Sequence, residues 1–151
     1  MKNRLGAVVL LVFGTVIGIA GAAHAESWGP GTSSYNGTVR VEVSGDVWRD
    51  AAAIYDDVSL NDPSNDGNNV YSTARFAYCS GGSCDYSYNG ANDHRSTGEY
   101  NYFNTPVSVQ LSAPISPYAG SFERVNSWGC AQMGGFVPDS CSPNFYVTVT
   151  L

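Results

Sequence analysis

After Lys2 the chain contains no lysine. Its strong cations are the arginines Arg4, Arg40, Arg49, Arg75, Arg95 and Arg124. Nucleic acid and anionic membranes are held by clustered Lys and Arg, so neither is an expected partner. Histidine is almost as scarce, with only His24 and His94. A serine or cysteine triad would have to take His94 as its base. That residue lies in a polar stretch, Asn92-Asp93-His94-Arg95, and no G-x-S-x-G elbow accompanies it. Helical periodicity is missing as well, and after residue 20 no apolar run reaches the length of a membrane span. These absences leave an all-β chain with no catalytic motif.

The one apolar run belongs to a leader. Lys2 and Arg4 precede apolar Leu5–Ala20, and Ala23-His24-Ala25 is a small-residue cleavage site, so residues 1–25 read as a signal peptide. Cleavage there leaves five arginines against thirteen acidic residues, a net charge of −8, on a chain long enough for one domain with a core. A secreted, extracellular protein of this charge suits a basic partner, a neutral glycan or a cation. The plainer reading is that the acidity keeps the protein soluble.

Four cysteines in an exported chain predict two disulfides. Cys79 and Cys84 flank a Ser-Gly-Gly-Ser turn, and Cys130 and Cys141 close the loop GCAQMGGFVPDSC, so the local pairing is expected. A zinc site is disfavoured by the single histidine beyond the leader.

The central stretch is Asn69–Asn89. Val70, Ser72, Ala74, Phe76 and Tyr78 alternate with Tyr71, Thr73, Arg75 and Ala77, the pattern of a half-buried strand, and a second short strand is expected at Asp85–Tyr88. Before it, Glu26–Tyr35 reads as a flexible N-terminal arm. Thr38–Ser44 is a strand with its valines inward, Asp46–Leu60 is two strand pieces around a small-residue bend, and Asn61–Asn69 is a turn. After it come a polar loop at Gly90–Thr97 and strands at Glu99–Phe103, Val107–Leu111, Phe122–Trp128 and Phe145–Leu151. Short strands separated by turns predict a small two-sheet antiparallel β-sandwich of immunoglobulin-like type over residues 36–151, with a small barrel as the alternative.

Three constellations bear on chemistry. Glu42, Glu99 and Glu123 offer carboxylates for glycoside hydrolysis, yet each occupies an alternate strand position where an outward acid is expected anyway. Asp62-x-Ser64-x-Asp66-Gly67 copies the first half of an EF-hand loop, but Thr73 replaces the bidentate Glu. A weaker turn-type calcium site could use Asp56, Asp57, Asp62 and Asp66; ordinary Asx turns account for the same residues. Finally, Tyr86, Tyr88, Tyr100, Tyr102 and Phe103 cluster around the hairpin. Tyrosine suits protein interfaces and sugar platforms alike, and it also suits plain cross-strand packing. Trp28, alone in the arm, reads with Tyr86, Tyr88, Tyr100 and Tyr102 as a partner-docking set.

The leader, the turn PSNDGNNVY with the strand after it, and PDSC before the final strands resemble small exported proteins of filamentous actinobacteria. The chain is most similar over Asp56–Leu151 to the linker subunit of umbrella toxin particles. That resemblance implies a non-enzymatic adaptor that joins a lectin subunit to the ring of a large toxin-bearing polypeptide, without a cofactor. A carbohydrate-binding or enzyme-inhibitor module is the alternative expectation.

Overall fold

In the computed structural model, the structure describes residues 25–80, 83–85, 94–115 and 122–151. The expected leader, save Ala25, falls outside them, as do Tyr86 and Tyr88. The described chain is all-β, with ten strands in two antiparallel sheets that pack as a β-sandwich. The first sheet runs β1 (Glu26–Tyr35), β2 (Thr38–Arg49), β3 (Ala53–Asn61) and β7 (Val107–Pro114). The second runs β10 (Phe145–Thr150), β8 (Phe122–Ala131), β4 (Val70–Ser80) and β5 (Ser83–Asp85). Off that path, β6 (His94–Ser96) pairs with β4 and β9 (Ser140–Cys141) with β8.

Residues 26–35 are therefore not an arm. They form β1, which runs antiparallel to β2 from Glu26 opposite Val47 to Tyr35 opposite Thr38. The connection is Asn36-Gly37 with both residues at positive φ, 50° and 78°. That backbone matches the right-handed twist of the strands it joins, which is why Asn-Gly is a strong two-residue hairpin signal. Ser33 and Trp28 turn inward, and Trp28 is only 5% exposed.

Alternation settles the other strands. Val41, Val43 and Val47 of β2 and Ile54, Val58 and Leu60 of β3 face Val70, Ala74 and Phe76 of β4 and Val125 of β8 across the core. The expected bend between β2 and β3 is present, and Asp50 closes it by accepting hydrogen bonds from the Ala52 and Ala53 amides. Both disulfides form in the expected local pairing, Cys79–Cys84 and Cys130–Cys141. Glu99–Phe103 does not form the expected strand. Only two isolated bridges occur there, Tyr100 with Val70 and Phe103 with Asp62, because Thr97 and Tyr100 spend their amides on the carbonyls of Ser72 and Val70 at the margin of β4.

Candidate binding surface

The outer face of the first sheet follows from the same alternation. With the valines of β2 turned in, Glu42, Ser44, Asp46 and Trp48 point out, opposite Asn61, Ser59, Asp57 and Tyr55 of β3. β7 adds Ser108, Gln110 and Ser112 opposite Ser59, Asp57 and Tyr55, and β1 adds Ser27 opposite Asp46. A groove of about 640 Å³ crosses this face, walled by Ser27, Pro30, Ser44, Asp46, Asp57, Ser59, Ser108 and Gln110. A second hollow of about 490 Å³ shares Pro30, Ser44 and Ser59 with it and extends to Thr32, Glu42, Asn61 and Pro106.

The rim of the groove depends on β1 lying close. The register of β1 shifts between Trp28 and Gly31, and Gly29 within the shift has φ +80°. A Cβ there would sit 2.9 Å from the Val43 carbonyl oxygen, so only glycine lets the two backbones approach this far.

Asp46 and Asp57 are direct cross-strand neighbours. Like charges in that position repel, and neither is paired with an arginine. Each is held by neutral donors instead: Ser27 Oγ donates to Asp46, while Trp48 Nε1 and Gln110 Nε2 donate to Asp57 at 2.6 and 2.7 Å. Trp48 also stacks on Tyr55, with centroids 4.1 Å apart and planes at 17°. Tyr55 in turn donates to Asp50, which raises the affinity of the phenol for its proton. The face can therefore offer carboxylate oxygens, serine hydroxyls and a fixed aromatic pair to a ligand that is cationic or rich in hydroxyls.

Of the sequence-predicted docking and catalytic residues that the structure describes, only Tyr100 and Tyr102 come together. Trp28 is not available to a partner, since its indole lies in the protein's own core beside Phe145 and donates to Asp56 Oδ1 at 2.7 Å. Tyr100 is half-buried against the core, and Tyr102, at 60% exposure, lies beside it with ring centroids 6.5 Å apart, on an irregular segment rather than a sheet face. The catalytic carboxylate candidates separate widely. Glu42 accepts from Asn61 on the outer face, Glu99 accepts from Asn69 and Gln132 at the end of the sandwich, and Glu123 is fully buried. The expectation of an outward Glu123 thus fails: it shares the inner phase of β8 with Val125 and Ser127. His94 pairs through its backbone with Arg75, in β6 rather than in a loop.

In the Asx-rich turn, the positive charge is supplied by the protein. Arg40 forms an ion pair with Asp66 and donates to Ser64 Oγ at 3.1 Å, while Asp62 Oδ1 accepts from the Ser64 amide. Asp56 and Asp57 lie on opposite faces of β3, away from that turn. Among the described residues no three His, Cys, Asp or Glu side chains gather to hold a metal.

Two acids have unusual surroundings. Asp56 bridges the sheets, accepting from Trp28 of β1 and from Ser127 Oγ of β8. Burial pushes its carboxyl up to about 6, against the pull of those two hydrogen bonds. Glu123 is the other.

Sequence reasoning missed Asp46, Trp48, Tyr55, Asp57 and Gln110 as a group. The available signal was the pair Asp46-x-Trp48 and Tyr55-x-Asp57, each at the i, i+2 spacing of one strand face. No protein-family model, curated protein or solved structure matches the chain. Among the described residues no helix is long and apolar enough to cross a membrane.

Proposed function

We propose that the protein is a secreted, non-enzymatic adaptor that receives a positively charged segment of a partner protein in the groove on the outer face of its first sheet. The observation that carries this reading is the directly opposed Asp46 and Asp57 in the wall of that groove, held by neutral donors without a counter-charge. A lysine or arginine set between them relieves their repulsion and gains two charge-assisted hydrogen-bond acceptors. Complementary charge of this kind speeds encounter and excludes anionic competitors. A binding role rather than catalysis is supported by the position of the two acids with raised proton affinity, Asp56 and Glu123, which lie between the sheets out of a substrate's reach. Within this reading, the sandwich is immunoglobulin-like, a class that serves many unrelated binding functions. The resemblance to umbrella-particle linkers supplies the specific version, with a secreted ring polypeptide as the partner.

The Trp48–Tyr55 stack beside the groove favours a second reading, a saccharide lying on the same face. The two readings separate by salt and by charge reversal. Partners recovered from culture supernatant by the immobilised wild-type protein should elute as salt rises, and Asp46→Arg, with an unchanged far-ultraviolet spectrum, should recover none of them. Retention on polysaccharide columns that ignores salt, with no protein recovered, would favour the saccharide.

A further inference from the structure

Glu123 is 0% exposed, and neither of its carboxylate oxygens has a hydrogen-bond partner. Buried polar groups are almost always paired, so this residue requires an explanation that the outer-face site does not provide. Its place in β8 fixes where it points. Tyr78 of β4 is its neighbour on one side and Val149 of β10 on the other, and its side chain enters the space between the sheets. On the opposing sheet, the charge that acts on it is that of Arg49, at the end of β2.

We propose that Glu123 is a proton-operated latch between the two sheets. As the neutral acid it lets the Arg49 end of the sandwich close, and loss of its proton loosens that end. The physical reason is the cost of a carboxylate charge that is shut off from water and has no donor. Burial pushes the Glu123 carboxyl up to about 8, while the Arg49 charge pulls the other way without forming an ion pair.

Among the described residues the surroundings supply no other counter-charge. On β4, Tyr78 donates its hydroxyl to the Pro114 carbonyl, and Arg75 lies over Trp128. β10 carries no charged residue, and β9 contributes only Ser140 and the disulfide-bonded Cys141. On β1 the acid Glu26 is exposed, whereas the inward residue is Trp28. On β3, Asp56 is engaged with Trp28 and Ser127, and on β2 Arg40 is committed to Asp66.

A folded state that binds a proton more tightly than the unfolded chain is stabilised by it fully below the ordinary glutamate value of 4.5, and loses that stability as pH rises towards about 8. The experiment is thermal melting and amide exchange over roughly pH 5 to 9. The wild-type melting temperature should fall across this range, with protection lost first at Val47–Arg49, Tyr78 and Glu123–Val125. In Glu123→Gln the curve should be flat above about pH 7, where Asp56 has also finished titrating. In Arg49→Met the fall should extend to higher pH, because the charge favouring ionisation in the folded state is gone. A Glu123→Gln curve that keeps the wild-type slope overturns the latch. Should that variant not fold, carboxyl-carbon NMR of the wild type decides. One of its four glutamates, Glu26, Glu42, Glu99 and Glu123, should titrate near 8, and four ordinary titrations overturn the proposal.

Discussion

Trp28→Ala should lower the melting temperature by roughly 10–20 °C, the equivalent of about 3–5 kcal/mol for a large aromatic removed from a core of this size. Two losses combine in that change. The indole fills the space over Gly45, where an added Cβ would meet it at 2.7 Å, and it packs on Phe145. It also supplies one of the two donors that let Asp56 sit between the sheets, so its removal leaves a buried carboxyl half-satisfied. Trp28→Phe separates the two, since it keeps most of the packing and removes only the donor; a smaller loss, about 1–3 kcal/mol, is expected. Deletion of Glu26–Ser34 removes all of β1 but Tyr35 and uncovers Val41 and Val43, so the truncated chain should fail to give a cooperative melt. A truncated chain that melts like the full one would restore the flexible arm.

The second large effect concerns the Cys130–Cys141 disulfide. Replacing both cysteines with serine should cost about 2–3 kcal/mol, the loop-closure entropy expected for a link separated by so few residues. The sequence separation is 11, and the bridge joins the end of β8 to β9. The loop it closes is tied further by Tyr71, whose hydroxyl donates to Asp139 at 2.7 Å, and by the Gln132 amide donating to the Asn69 carbonyl. Those contacts hold the base of a turn at Gly134–Val137 that leaves Phe136 wholly exposed. Urea melts of the double serine variant should show the lost stability, and limited proteolysis should cut after Phe136 sooner than in the wild type. Equal midpoints for the two proteins would mean that the tyrosine and glutamine contacts already fix the loop.

How much of this was legible in the sequence depended on local signals. The inward valines of β2, the alternation of β4 and the two cysteine pairs each lie within one strand or one turn, and the structure keeps them. β1 was missed although Asn36-Gly37 announces its hairpin, because Gly29, Pro30 and Gly31 break its period and disguise a bulged edge strand as a linker. The bulge is a property of the pairing with β2, which single-strand periodicity does not contain. Glu99–Phe103 failed for the converse reason: its alternation is real, but among the described residues it meets other strands only through isolated bridges at Tyr100 and Phe103. Glu123 was assigned the wrong face because an acid at an alternate strand position is expected to point outward, although its phase is that of Val125 and Ser127, with Trp128 on the other. The structure places Trp128 under Arg75. The groove was legible only in halves, since Asp46 and Asp57 meet through a register that neither strand specifies alone.

The most direct measurement of the central claim is Asp46→Asn, followed in two ways. Asn keeps an oxygen to accept from Ser27 and removes one of two opposed charges. The variant should therefore melt slightly above the wild type, by a few tenths of a kcal/mol, the usual scale of a like-charge cross-strand pair. Its affinity for the basic partner should nevertheless drop by roughly tenfold or more at low salt, and less as salt screens the groove. A more stable protein that binds worse is the signature of residues kept for a ligand rather than for the fold. An Asp46→Asn protein that binds its partner with wild-type affinity at every salt concentration would contradict the assignment of this groove as the docking site.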